Sequence, residues 1–400
     1  GSCNATKIAW PETSFPSWTT WTISTNADCA QVLGAGDIDR DGDIDVLSAS
    51  FDDDRVAWYE NDGFDPPTWT QQTISTSADG AWGLGVGDLD QDGDLDVVST
   101  SLNDQKVAWY ENNGLIPVAW IGHLIVPSGP VPRAIEVVDI DRDGDLDIIG
   151  PRVSPGTIAL YENDGNIVPA FQQRTINPLG IGTPGRITVA DLDGDGDLDA
   201  ASAGYSERTI AWYENSGTIP SGWAIHLIPT SKKGNFSIMA GDMDRDGDVD
   251  LVHMAATVSS EVDSRIVWWE NDGNPGPTFT ERTITTAVTN PNGLSLGDLD
   301  NDGDLDLVGV EAQGINKVEF WQNQSAQFAF ATQGVASPLV ANGSRVALLR
   351  ADFIHRGRPG DSPVSLATFV VNFEQTPGDA LTAGEANALI DNLHLYVDDG

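Results

Sequence analysis

The stretch "DIDRDGDIDV" at residues 37–46 sets aspartates at 37, 39, 41, 43 and 45 around a glycine at 42. Carboxylates held that close repel one another, so a cation is expected among them. The run recurs as "DLDQDGDLD" from 88, "DIDRDGDLD" from 139, "DLDGDGDLD" from 191, "DMDRDGDVD" from 242 and "DLDNDGDLD" from 298. Successive starts lie 51, 51, 52, 51 and 56 residues apart. Self-similarity at this period predicts a propeller or a solenoid.

Two further signals keep step with the acidic run. One is an aromatic segment: "VAWYENDG" from 56, "VAWYENNG" from 107, "IALYENDG" from 158, "IAWYENSG" from 210, "IVWWENDG" from 266 and a degraded "VEFWQNQS" from 318. The other is an aromatic residue opening a Thr/Ile-rich segment, at Trp18, Trp69, Trp120, Phe171, Trp223 and Phe279. Each unit reads as four short strands: A entering the acidic run, B leaving it, C the WYEN strand and D the Thr/Ile strand. Gly, Asn, Asp and Pro separate them, which is turn chemistry. The fold class is therefore all-β, a β-propeller of four-stranded blades. The first D copy precedes the first A copy, so "WTTWTIST" at 18–25 is expected to complete the last blade and close the ring. That count gives six blades. "TKIAWPE" at 6–12 looks like a further C copy, so seven blades with strands from downstream stays open.

The acidic run places carboxylates at positions 1, 3 and 5, a turn-permitting glycine at 6, a backbone carbonyl at 7 and another aspartate at 9. Five to seven hard oxygens on such a loop select Ca²⁺. The candidate metal residues are Asp37, Asp39, Asp41, Asp43 and Asp45; Asp88, Asp90, Asp92, Asp94 and Asp96; and Asp139, Asp141, Asp143, Asp145 and Asp147. Three more runs add Asp191, Asp193, Asp195, Asp197 and Asp199; Asp242, Asp244, Asp246, Asp248 and Asp250; and Asp298, Asp300, Asp302, Asp304 and Asp306. An EF-hand would need Glu at position 12 between helices. Position 12 here holds Ser48, Ser99, Gly150, Ser202, His253 and Gly309, and the flanks are β-branched. Random surface acidity would not keep one register six times.

The loop set in a repeat with the WYENDG strand resembles the FG-GAP/VCBS repeats of integrin-α-type propellers, over roughly residues 18–325. That resemblance implies about six Ca²⁺ ions with a structural role. It also implies ligation by the carboxylates of Asp37, Asp39, Asp41 and Asp45 and the carbonyl of Asp43, with the other loops following position by position. The ligand positions match throughout; the repeat length departs from the shortest such units.

A net charge of −41 argues against nucleic acid and anionic membrane as partners, and six dications would reduce it to −29. No apolar run reaches the length of a membrane span. The chain begins "GSCNAT" without signal-peptide features, so any secretion signal is expected to be removed or to lie outside this sequence. Loops that need calcium are expected to place the protein outside the cell, and the segment after residue 325 resembles segments that follow such propellers in bacterial surface proteins, which implies a bacterial surface. In that setting Cys3 and Cys29 are expected to form a disulfide, free thiols being the alternative.

Most tryptophans recur at fixed blade positions and read as packing. Trp82 does not: it lies six residues before its acidic run, where other blades carry Gln31, Arg133, Gly185, Phe236 and Asn292. A position that varies between blades is free of packing demands. Trp82, Arg133, Arg186, Lys232 and Phe236 are accordingly candidates for a ligand face opposite the acidic loops. His123 and His226 match each other within D strands and read as structural. No catalytic motif is present. After residue 325 the composition changes, and 326–400 reads as a small β-rich module with a short helix capped by Thr382. It ends on "YVDDG", so it either continues further or takes a strand from a neighbouring molecule. The sequence thus points to a non-enzymatic, calcium-stabilised extracellular propeller for adhesion, ligand binding or surface assembly. Its partners would be copies of itself, cell-surface proteins or glycans. The alternative is a lectin-like or polysaccharide-degrading protein.

Overall fold

A computed structural model describes residues 8–14, 17–64, 67–152, 156–176, 184–204, 209–217, 222–230, 235–255, 264–286, 288, 291–298, 304–311 and 317–323, then strands between 328 and 380. Among the described residues every regular element is a strand. Five antiparallel sheets have four strands each in the order A-B-C-D, and a sixth contributes A-B-C. In the first blade these strands are Ala30–Gly36, Asp45–Ser50, Arg55–Asn61 and Trp69–Ser75. In the five four-stranded blades strand B is buried along its whole length, as the β-branched and small residues of Asp45–Ser50 and Asp96–Ser101 would require of a central strand.

The core lies between sheets. Leu47 and Trp58 of the first blade pack on Leu84, Val97 and Tyr110 of the second. Val98 and Trp109 of the second pack on Ile148 and Tyr161 of the third, and the pattern continues to Trp268 against Leu294 and Leu307. Each WYEN strand thus points its tryptophan to the following blade and its tyrosine to the preceding one. Strand A of each sheet lies against strand A of the next, around a common axis. This is a propeller.

A buried polar pair ties strand B to strand C and covaries between blades. Ser48, Ser99 and Ser202 bond the hydroxyls of Tyr59, Tyr110 and Tyr213. In the third blade Gly150 leaves Tyr161 to Arg152 Nη2 at 3.2 Å. In the fifth the pair becomes His253 and Trp269, whose indole donates to Nδ1 at 2.7 Å. Burial holds His253 neutral, down to about 3.

The N-terminal strand departs from the expectation. Ser17–Ser24 pairs with Ile8–Ser14, not with the last blade's Lys317–Trp321. The pairs Ile8↔Ser24 and Ala9↔Thr22, with their bulge, repeat the C–D register of Val56↔Ser75 and Ala57↔Thr73. The short connection between the two segments favours this local hairpin over a long-range partner. Ile23 still packs on Val46, Ala57 and Tyr59 of the first blade, as a closing D strand should. The hairpin is therefore the outer half of a further blade, the arrangement that a count of seven requires. Inward of it, Leu33 and Ile44 are 54% and 50% exposed, whereas the equivalent Leu84 is 6% exposed.

Cys29 is disulfide-bonded, and Cys3, the chain's other cysteine, lies outside the described residues. The helix expected after Thr382 also lies outside them. Of the C-terminal module, Phe328–Gly334 pairs with Leu349–His355. Among the described residues no helix is long and apolar enough to cross a membrane.

Candidate metal centres and ligand face

Each acidic loop joins strand A to strand B at one end of its blade. Position 4 is left-handed, with φ of 61° at Arg40, 59° at Gln91 and 59° at Arg142, and the glycine at position 6 has φ of 98° at Gly42 and 93° at Gly93. No β-branched residue would tolerate position 6. The chain curls so that the amide of Gly42 donates to Asp37 Oδ2 at 3.1 Å, and that of Asp43 to Asp41 Oδ1 at 2.9 Å. Gly93 and Gly144 repeat the first bond on Asp88 and Asp139.

Position 9 is the hub. Asp96 is fully buried; its Oδ2 accepts from the Leu89 amide at 3.1 Å and its Oδ1 from the Asn112 amide at 2.8 Å. Asp45, Asp147, Asp199 and Asp250 accept the same two bonds. Desolvation outweighs these donors: it raises Asp45 to about 6 and Asp96, Asp147, Asp199 and Asp250 to about 7. The indoles of Trp58, Trp109, Trp212 and Trp268 favour the charged form of Asp45, Asp96, Asp199 and Asp250 in turn, to a smaller degree.

Position 7 faces elsewhere. A Cβ on Gly165 of the WYENDG turn would collide with Asp145 Oδ2, and Gly63 and Gly114 stand in the same relation to Asp43 and Asp94. The turn glycine thus makes room for this carboxylate beside the WYENDG turn.

Carboxylate oxygens of Asp37, Asp39 and Asp41 lie within 4.8 Å of one another. So do those of Asp88, Asp90 and Asp96; of Asp139, Asp141 and Asp147; of Asp191, Asp193 and Asp199; and of Asp242, Asp244 and Asp246. Oδ1 of Asp37, Asp88, Asp139, Asp191 and Asp242 is buried without a hydrogen-bond partner in all five. Such an oxygen is costly to bury unless a cation faces it. Burial, together with the neighbouring loop carboxylates, raises Asp39, Asp90, Asp141 and Asp193 above the usual range. An all-oxygen set with one orphaned buried oxygen fits a hard metal ion. In the last loop Asp298, Asp304 and Asp306 are described; Asp300 and Asp302 lie outside the described residues.

The FG-GAP-like repeat model matches residues 37–99, 88–150, 191–253 and 256–309, more than half the chain. The chain belongs to the FG-GAP-like repeat family. Among solved structures it resembles a lectin from Agrocybe aegerita that specifically recognises non-reducing terminal N-acetylglucosamine, at 15% identity and a TM-score of 0.51, over 77% of this chain and 86% of that one. A protein from Lactobacillus plantarum matches at 15% identity and 0.52, over 80% and 92%. A functionally unknown protein from Desulfotomaculum acetoxidans matches at 14% and 0.52, over 79% and 96%. At these identities the likeness concerns the fold. No curated protein matches the chain.

On the other rim of this FG-GAP-like propeller, the structure joins two of the expected ligand residues. The Arg133 guanidinium lies 5.0 Å over the Trp82 ring, and Phe51 meets that ring edge-on at 5.5 Å. Three successive blades thus contribute one row. Arg186 is placed differently: it lies one register position further along its inner strand than Trp82 does along its own, and its charge opposes the rise of Glu136 to about 7 that desolvation causes. Phe236 lies at the start of Asn235–Gly241, and Lys232 lies outside the described residues. His123 and His226 are structural, stacking on Trp109 and Trp212 at 4.3 and 4.2 Å and bonding Glu111 and Glu214.

The residue that sequence reading passed over is the asparagine of WYEN. Besides its amide bond to position 9, Asn112 donates through Nδ2 to the Ile38 carbonyl of the preceding blade at 3.0 Å. Its signal was present, since a polar residue keeps this place in all six copies, Asn61, Asn112, Asn163, Asn215, Asn271 and Asn323.

Proposed function

We propose that this FG-GAP-like propeller is an extracellular, non-enzymatic binding protein whose acidic loops carry about six Ca²⁺ ions, and whose opposite rim captures a ligand. The observation that carries the calcium reading is the orphaned buried oxygen at position 1, repeated at Asp37, Asp88, Asp139, Asp191 and Asp242. Bound calcium supplies a hard positive centre that offsets the mutual repulsion of the loop carboxylates. The chain's own groups do the rest: positions 1 and 3, joined by position 5 or by position 9 and by the position 7 carbonyl, form the cage, and position 9 also anchors it to two buried amides. Calcium is plentiful only outside cells, which favours secretion or surface display, in adhesion or assembly.

For the ligand, the Phe51–Trp82–Arg133 row supports a glycan. An indole offers a stacking face for a pyranose, and a guanidinium donates to its hydroxyl or carboxylate oxygens. Sugar recognition by the Agrocybe aegerita lectin of the same fold makes this class the first to test. On a glycan array in 2 mM calcium, the protein should mark a defined subset of sugars. Trp82→Ala should weaken that binding about tenfold without lowering the melting temperature by more than a few degrees. An array on which wild type and variant are equally silent, or equally bright, removes the glycan reading. Sedimentation of the same sample with and without chelator tests surface assembly, which a strict monomer in both would exclude.

A further inference from the structure

Neighbouring acidic loops are joined by an unbroken chain of hydrogen bonds. Asn112 Nδ2 donates to the Ile38 carbonyl, at position 2 of the first loop, while the Asn112 amide donates to Asp96 at position 9 of the second. Asp96 accepts in turn from the Leu89 amide, at position 2 of the second loop, and the Leu89 carbonyl accepts from Asn163 Nδ2 at 2.9 Å. The Asn163 amide donates to Asp147, Asp147 accepts from Ile140, and the Ile140 carbonyl takes Asn215. The sequence of bonds continues through Asn271 to Asn323, which bonds the Met243 carbonyl at 2.7 Å.

Position 2 sits between the ligands at positions 1 and 3, and its side chain is buried, as at Ile38 and Leu89, each 1% exposed. Its peptide cannot move without moving both carboxylates. A second tie runs the other way: Arg40 reaches Asp94 of the next loop at 2.8 Å, Gln91 reaches the Gly144 carbonyl at 2.8 Å, and Arg245 reaches Asp304 at 3.1 Å. A loop that curls around an ion and relaxes under unopposed carboxylate repulsion would have two states. Each tie favours the same state on both sides.

Resting on the calcium reading above, we infer that the WYEN asparagines are positioning residues that couple each metal loop to its neighbour, so that the sites fill cooperatively around the ring. Coupling between adjacent loops should reach about fivefold in affinity, the lower end of ordinary site-to-site coupling.

The test is a calcium titration of the stripped full chain, read by calorimetry and by competition with a chromophoric chelator. Wild type should bind with a Hill coefficient clearly above 1. Asn163→Ala removes the tie between the second and third loops but no metal ligand. It should keep full stoichiometry, flatten the isotherm and weaken part of the sites about fivefold. Gln91→Asn repeats the test at an exposed position, with a residue that tolerates left-handed backbone but is too short to reach the next loop. It should flatten the curve in the same sense even if Asn163→Ala fails to fold. A wild-type curve of independent sites overturns the coupling, and so does a Gln91→Asn curve as steep as wild type. No binding at all would instead overturn the calcium reading.

Discussion

Asp147→Ala should destabilise the protein by about 2–6 kcal/mol even with no metal present, because two buried amides, Ile140 and Asn163, lose their acceptor and each costs about 1–3 kcal/mol. Asp143→Ala, four residues earlier in the same loop, should cost about 1 kcal/mol or less under those conditions. Asp143 is exposed and accepts one local bond from the Asp145 amide. In calcium the order changes in kind, since both variants forfeit the ion's contribution. Urea unfolding of the two variants in chelator and in 2 mM calcium separates these effects. Equal midpoints for the two variants in chelator would show that position 9 is an ordinary ligand and not a structural hub.

The second large effect concerns acidity. Burial raises Asp96, Asp147, Asp199 and Asp250 to about 7, against an ordinary 3.8 when unfolded. Between about 4 and 7 the metal-free folded chain holds protons that the unfolded chain has lost. Stability of the stripped protein should therefore fall as pH rises through that window, and level off above it. With calcium bound the carboxylates stay ionised, and acid must displace the ion. The loaded protein should then gain stability as pH rises through the same window. Melting temperatures from pH 4.5 to 8, in calcium-free buffer and in 5 mM calcium, should slope in opposite directions. Two slopes of the same sign would mean that these buried carboxylates do not face the ion.

Much of this was legible before any coordinates. The D-x-D-x-D-G register gives the loops, and its pairing with "WYENDG" gives blades, because both period and turn chemistry survive repetition. Periodicity could not say which aspartates are buried. Position 9 looks like positions 1, 3 and 5 in sequence, yet only position 9 starts a fully buried strand, as Asp45 and Asp96 do. The N-terminal pairing was missed for another reason. The copy that begins "TKIAWPE" has Pro11 and Thr13 where the motif has its tyrosine and asparagine, so its strand character was visible but its partner was not. Side-chain contacts across blades, such as Asn163 to Leu89, join residues 74 apart and leave no local mark.

The most direct test of the calcium cage is differential scanning calorimetry of the full chain, first stripped and then in 5 mM calcium, with bound metal counted by elemental analysis. Five to six ions per chain are expected. Affinities usual for extracellular sites give on the order of 1 kcal/mol per ion, so the melting temperature should rise by on the order of 10 °C or more. A stripped protein that melts where the loaded one does, with no retained calcium, would contradict it.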